Sequence, residues 1–405
     1  MKKLALLLLF VPLCAGAAGA FDFGVLLDQT AGVGGIGGDV NFDYSGSLIP
    51  WFSSPLGDSG DIFVSMGFTA GYEYEGFFAP ELLRTEFSWR FNKFFRLKAG
   101  RLSYADPLNF VVDGLLDGAQ IFLNTAMGTL NAGFWYSGLL YKKTTRITMT
   151  MDDFISYYTM LDYGDFAYTY FTSRRVLMTV GWEHPALKEL VRLKSSLTGQ
   201  FDFNGGDALY HSQYLTVKAG IPFRRFVFEL GGALQLAEDM ARDKDKFGIA
   251  LAGELGVSWE LPTAFQSQLS FTGRFSSGRT ESGSIVAFVP ITTMDQGEVL
   301  KARLSGLSTL NLDYTARFRR DLSSSLDMTY FVLSDRGTYM GYSGGGTDSK
   351  DYLLGGELFG RVIWSPVADL RLDAGAGVFL PALGNVAPKA DPQWRIELNL
   401  ILMLY

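Results

Sequence analysis

Apolar and polar residues alternate one by one over most of this chain. In LNLDYTARFR, Leu310, Leu312, Tyr314, Ala316 and Phe318 fall on one side, and Asn311, Asp313, Thr315, Arg317 and Arg319 on the other. QSQLSFTGRF sets Leu269, Phe271 and Phe275 against Gln268, Ser270, Thr272 and Arg274. ADLRLDAGAGVFL sets Leu370, Leu372, Ala374, Ala376, Val378 and Leu380 against Asp369, Arg371 and Asp373. A period of two belongs to a two-faced β-strand, because successive side chains leave opposite faces. ELFGRVIW, RFVFELGGALQL and LKSSLTGQFDF repeat the pattern.

The breaks between these stretches alternate in length. Tight ones fall near Asn92-Lys93, Thr125-Ala126, Pro222-Phe223, Pro262-Thr263, Arg320-Asp321 and Pro366-Val367, with a longer one over Pro185 to Val191. Between them lie long polar connections, as at Ala105 to Leu115, Asp239 to Lys246, Ser277 to Ser305 and Ser334 to Tyr352. Short turns at one end and long loops at the other describe a membrane barrel. The reading is all-β: a single closed antiparallel transmembrane β-barrel of about 18 strands, 16 to 18 fitting the pattern. An even count puts both termini on the short-turn, periplasmic side. The pattern is weakest over Phe42 to Asp61 and Met149 to Thr172. A soluble β-sandwich also alternates, but its outward face is the polar one, and a β-helix would show a short internal repeat. Trp89, Trp182, Trp259, Trp364 and Trp394 fall at strand ends, as aromatic girdles require.

The N-terminus reads as a signal peptide over residues 1–20. Lys2 and Lys3 precede an apolar run from Leu4 to Leu13, and small residues end at Ala20. The barrel domain is then 21–405. The only cysteine, Cys14, lies in that leader, so a processed chain would have none; a lipoprotein reading would instead cleave before Cys14. Of 35 basic residues, 33 remain without Lys2 and Lys3, against 42 acidic, a formal charge of −9. That balance lacks the basic footprint of a nucleic-acid binder. Composition adds to the β reading: 47 Gly, 33 Phe and 19 Tyr stand against 13 Pro and 2 His. Beyond the leader, no apolar run reaches transmembrane-helix length.

Lipid demands that every backbone amide pair within the sheet, so the polar face must line a hydrated lumen. By parity its candidates are Arg84, Glu86, Arg90, Lys218, Glu229, Glu254, Arg274, Asp313, Arg317, Glu357, Arg361, Arg371, Asp373 and Arg395, together with Lys194, Asp202, Asp369 and Glu397. The two signs nearly balance. They serve either as cross-strand pairs that stiffen the wall or as a ladder that guides polar solutes.

Met149 to Phe171 stands apart, with Asp152, Asp153, Tyr157, Tyr158, Tyr163 and Tyr168 as loop or constriction candidates. It is either a docking loop, aromatic packing on the rim, or a poorly patterned strand pair. In GRLSYADPLNFVVDGLLDGAQI, a strand ending at Gly100-Arg101 precedes a loop and a second strand opening at Asp117-Gly118. This resembles porin-type barrels of the alginate-export family, which implies a passive-channel role on a barrel fold.

Enzyme chemistry finds little support. His184 and His211 are the only histidines, and no HExxH or GxSxG arrangement occurs. No cofactor or metal is expected; Asp239, Asp243 and Asp245 are the nearest approach to a calcium loop, and such runs are more often solvated. The expected function is a porin-like outer-membrane channel for passive diffusion of small polar or sugar-like solutes, with oligomers allowed. One alternative is a transporter for hydrophobic solutes plugged by an N-terminal segment, in which Asp28 to Phe42, around Gly32 to Gly38, is either the plug or simply the first loop. Another is a surface adhesin or structural barrel. The chain closes on WRIELNLILMLY, whose final aromatic resembles the C-terminal signal read by the barrel-assembly machinery. Tyr405 is out of phase with Leu398, Leu400 and Leu402, so either a bulge shifts the register in the last residues, the favoured reading, or both faces there are buried.

Overall fold

The computed structural model describes residues 21–73, 75–187, 190–205, 209–239, 247–279, 285–335 and 351–405. The expected signal peptide, with Cys14, and Asp243 and Asp245 lie outside the described residues. Eighteen strands pair edge to edge in one antiparallel sheet. They are β1 (Asp22–Ile36), β2 (Asp39–Leu56), β3 (Gly60–Glu73), β4 (Glu75–Arg90), β5 (Phe95–Ala105), β6 (Asp113–Thr125), β7 (Gly128–Tyr136), β8 (Arg175–Leu187) and β9 (Val191–Asp202). The circuit continues with β10 (Tyr210–Phe223), β11 (Phe226–Asp239), β12 (Phe247–Glu260) and β13 (Gln268–Ser276). A two-stranded hairpin, β14 (Asp295–Gln296) and β15 (Ala302–Arg303), sits in the next loop. Then come β16 (Leu307–Arg319), β17 (Leu322–Leu333), β18 (Leu353–Val367), β19 (Leu370–Leu380) and β20 (Gln393–Leu404). β20 pairs with β1 from Val25↔Leu404 to Ile36↔Gln393, which closes the barrel and leaves no free edge there.

The alternation in the sequence becomes two faces. Leu230, Leu255, Leu310, Ile396 and Leu398 stand exposed on the outside, while Lys218, Glu254 and Glu397 meet ion-pair partners inside. An exposed apolar belt around a polar interior is the signature of a sheet that spans lipid. Trp89, Trp259 and Trp364 lie near the lower ends of β4, β12 and β18, and Trp394 near the loop end of β20.

Several expectations are revised. Asp28 to Phe42 is no plug: it forms most of the β1–β2 hairpin and pairs in register as wall, Val33 with Phe42 and Gly32 with Asp43. The loop end is also low here, since β1 and β2 are joined only by Gly37 and Gly38. β10 runs on through Phe223, and its turn uses Arg224 at φ 55°. β18 likewise absorbs Pro366-Val367. Asp117-Gly118 does not open β6, which starts at Asp113. No register shift occurs in β20 against β1 or β19, so the bulge expected before Tyr405 is absent. Tyr405 instead shares the inward parity of Asn399 and packs edge-on against Trp51, ring centroids 6.1 Å apart.

Met149 to Phe171 is helical, not a strand pair. The loop of residues 137–174 carries α1 (Lys142–Thr145), α2 (Met151–Tyr158) and α3 (Phe166–Tyr170). α2 starts on a capping box: the Thr150 hydroxyl accepts from Asp153 N, and the Asp153 carboxylate accepts from Thr150 N. Such reciprocal bonds satisfy the free amides of a first turn.

Candidate functional site

Three loops fold into the barrel. Asp106 shapes the first, accepting from Leu108 N, Val111 N and Val112 N at 2.8–3.0 Å. Burial pushes its carboxyl up, and those three amides oppose the shift. The turn thereby presents Leu108, Phe110 and Val111 to inward-facing Leu102, Leu116, Trp135, Leu177 and Tyr214 of the wall. Phe288, Ile291 and Leu304 from the 277–306 loop and Ile147 from the 137–174 loop complete this buried cluster. This cluster lies along β5 to β12. A second one, Leu307, Phe331, Leu333, Leu354 and Phe379, seats Ala302 of the 277–306 loop on β16 to β19.

Chains of charge run around the inward face of the wall. Arg395 forks onto Asp43 with both bonds at 3.0 Å and reaches Glu397 at 3.2 Å. Glu397 also takes Arg361 at 2.8 Å, and Arg361 reaches Glu298 of the inward loop at 3.3 Å. Further round, Lys218 bridges Glu229 and Glu254 at 3.2 and 3.3 Å, and Arg274 meets Glu254 at 2.8 Å. Arg84 and Lys98 converge on Glu86. Asp313 and Asp327 face each other directly across β16 and β17. Burial raises the carboxyl of Glu298, which Arg361 opposes and Glu397 and Asp327 reinforce.

The sequence candidates divide accordingly. Arg84, Glu86, Lys218, Glu229, Glu254, Arg274, Asp313, Arg361 and Arg395 belong to this charged face. Glu357 is buried and accepts from Glu298 N and Leu300 N at 2.6 and 2.9 Å, anchoring the loop. Arg317 turns to the Arg320 carbonyl at the short-turn end, Arg371 pairs with Asp373 near that end, and Arg90 lines a dent there with Asp58 and Lys93. Asp202 is buried on Arg175, and Lys194 pairs with Glu183.

Among the loop candidates, Asp153 is locked on Arg175 at 2.6 Å. Lys143 sits over the Tyr157 ring at 4.4 Å and the Tyr158 ring at 5.4 Å. Tyr163 bonds the wall at Phe78 O. Asp152 and Tyr168 are exposed.

Other charges were not legible. Arg146 forks onto Asp295 at 2.6 and 2.7 Å, joining two inward loops that show no period. Glu81 is buried under the helical loop and accepts from Thr144 at 2.7 Å. A bulge at Leu83 put it out of reach: Ser65 faces Arg84 but Met66 faces Leu82. One extra residue there turns odd positions inward above the bulge and even positions inward below it. Gly100-Arg101 and Asp117-Gly118 meet as cross-strand pairs, Arg101 forking onto Asp117 at 2.8 Å. That is a wall contact of outward parity.

No protein-family model matches the sequence, and no curated protein matches it. Solved structures do match over nearly the whole chain. Pseudomonas aeruginosa OccK2 (OpdF) superposes with TM-score 0.62 at 12% identity, covering 95% of this chain and 98% of the other. The same protein in complex with glucuronate gives 0.63 at 11%, over 96% and 98%. The outer membrane protein OprD from Pseudomonas aeruginosa gives 0.60 at 14%, over 96% and 95%. The fold is that of these closed 18-stranded outer-membrane barrels.

Proposed function

We propose that this chain is an outer-membrane channel through which small polar or sugar-like solutes diffuse. The observation that carries the reading is the charge held on the inward face beside the clusters that seat the loops: an arc from Asp43 through Arg395, Glu397 and Arg361 to Glu298, and the group of Lys218, Glu229, Glu254 and Arg274. Such an arc costs desolvation energy if it merely packs, and it is of use where water and solute pass. The alternation of signs suits solutes bearing both hydroxyl and carboxylate groups. The glucuronate held by the similar barrel is one of that kind. Residues 1–20 act in this reading as the export signal and β20 with Tyr405 as the assembly signal.

Planar bilayers test it. Folded protein should give discrete single-channel steps, and a small hydroxylated carboxylate should interrupt the current at millimolar concentration. Folded protein that inserts without conducting would refute the channel, and the adhesin or structural reading would take its place.

A further inference from the structure

Between β4 and β5 the wall is unzipped over its upper half. Their pairing starts at Arg90↔Arg96 and ends at Thr85↔Arg101. Six tilted residues rise roughly 15 Å, against an apolar band about 25 Å tall. Above that point β4 continues to Glu75 against β3 alone, and β5 to Ala105 against β6 alone. The outer-leaflet part of the seam has no strand-to-strand ladder. Pro80 fits such an edge, since it has no N–H to offer a neighbour.

An unpaired edge in lipid still needs partners, and side chains of the 137–174 loop and of β5 supply them. Tyr163 OH donates to Phe78 O and Tyr170 OH to Pro80 O, each at 2.6 Å. Arg101 donates to Leu82 O and, at 3.1 Å, to Leu139 O. The three strand carbonyls are two residues apart, so all point out of the same edge. Behind them Tyr170 stacks on Phe166 and Tyr141, over the inward face of Ala79. The remainder of the loop is pinned by Asp153 on Arg175, Arg146 on Asp295 and Thr144 on Glu81 of β4. The aromatic part can therefore leave β4 while its base stays docked.

We propose that this aromatic panel is a lateral gate between the lumen and the outer leaflet, passing single-chain amphiphiles. Swung off β4, it leaves a gap about one strand spacing wide, near 4.8 Å, which admits one acyl chain. The gap has aromatic sides for the chain, and strand carbonyls with the Arg101 guanidinium for a polar head. The route is separate from axial diffusion and does not depend on which polar solutes the channel takes.

The test places one cysteine behind the panel, Ala79→Cys, with Cys14→Ala, in liposomes containing a maleimide on a dodecyl chain. Ala79 is buried, so the reagent reaches it from the bilayer only through an open panel. We expect labelling, accelerated about tenfold by Tyr163→Phe with Tyr170→Phe, the effect of losing two ordinary hydrogen bonds from the closed state. Lipid-facing Leu398→Cys should label at one rate in both backgrounds. Glu81→Cys, also buried beneath the panel, is the second reporter if Ala79→Cys does not fold. Reporters that stay unlabelled while Leu398→Cys reacts to completion, or a rate indifferent to the two tyrosine changes, would overturn the gate. Axial conductance is measured on the same samples. Its absence with labelling intact would count against the channel and not against the gate.

Discussion

Arg175 Nη2 lies 2.6 Å from Asp153 Oδ2, and neither side chain reaches solvent. The contact joins the top of β8 to the first turn of α2, and Asp202 approaches the same guanidinium at 3.3 Å. Breaking a buried pair strands the remaining charge, at about 3–5 kcal/mol. Asp153→Ala should lower the unfolding free energy by that order and release the helical loop, seen as larger and noisier single-channel conductance. Asp153→Asn keeps an acceptor for the capping amides and should fall between. A variant as quiet and as stable as the parent would show that the pair does not hold the loop.

Arg361 and Arg395 are the cations of one inward arc, tied to Glu298, Glu397 and Asp43. Arg361→Gln with Arg395→Gln leaves those three carboxylates without their guanidinium partners. The reversal potential in a salt gradient should move toward cation preference, and Asp43→Asn with Glu298→Gln should move it the other way. Each cross-strand pair contributes only about 0.2–1 kcal/mol, so folding should survive both changes. Equal reversal potentials in the two variants would place this arc outside the solute path.

What the sequence made legible follows from where a period exists. Strand faces repeat every two residues, so Arg274, Arg361 and Arg395 could be placed inward without coordinates, and the count of 18 followed from the breaks. Parity fails where a single residue is added. The bulge at Leu83 hid Glu81, and the regular register of β20 removed a bulge that Tyr405 had suggested. Loops have no such rule. That Asp153 docks on Arg175, or Arg146 on Asp295, depends on how segments 22 and 149 residues apart pack. Short helices such as α1 and α3 leave no amphipathic period to read.

Lys142 in α1 is buried, and its ammonium has no hydrogen-bond partner among the described residues. Burial, with Lys143 beside it, brings its pKa down to about 8 from 10.5. The folded chain thus gives up this proton at lower pH than the unfolded chain, so stability rises with pH between those two values. Lys142→Met should remove that rise. Near pH 7 it should also stabilise the protein by about 1–3 kcal/mol, the cost of an unmet buried polar group. Unfolding in denaturant at pH 7 and pH 10 checks both; a slope unchanged in the variant would mean that water or another group satisfies the amine.

Tyr405 separates packing from recognition. Its ring meets Trp51 edge-on at 6.1 Å, and its hydroxyl lies 3.4 Å from Met403 Sδ. It is otherwise largely exposed. An aromatic pair contributes about 0.5–1.5 kcal/mol beyond burial, so deletion should cost refolded protein no more than that. If Tyr405 is also the assembly signal, its deletion in cells should cut the heat-modifiable, folded fraction far more than this small energy allows. Tyr405→Phe keeps the ring and should assemble normally. A deletion that assembles in cells as well as the parent would reduce Tyr405 to a rim contact with Trp51.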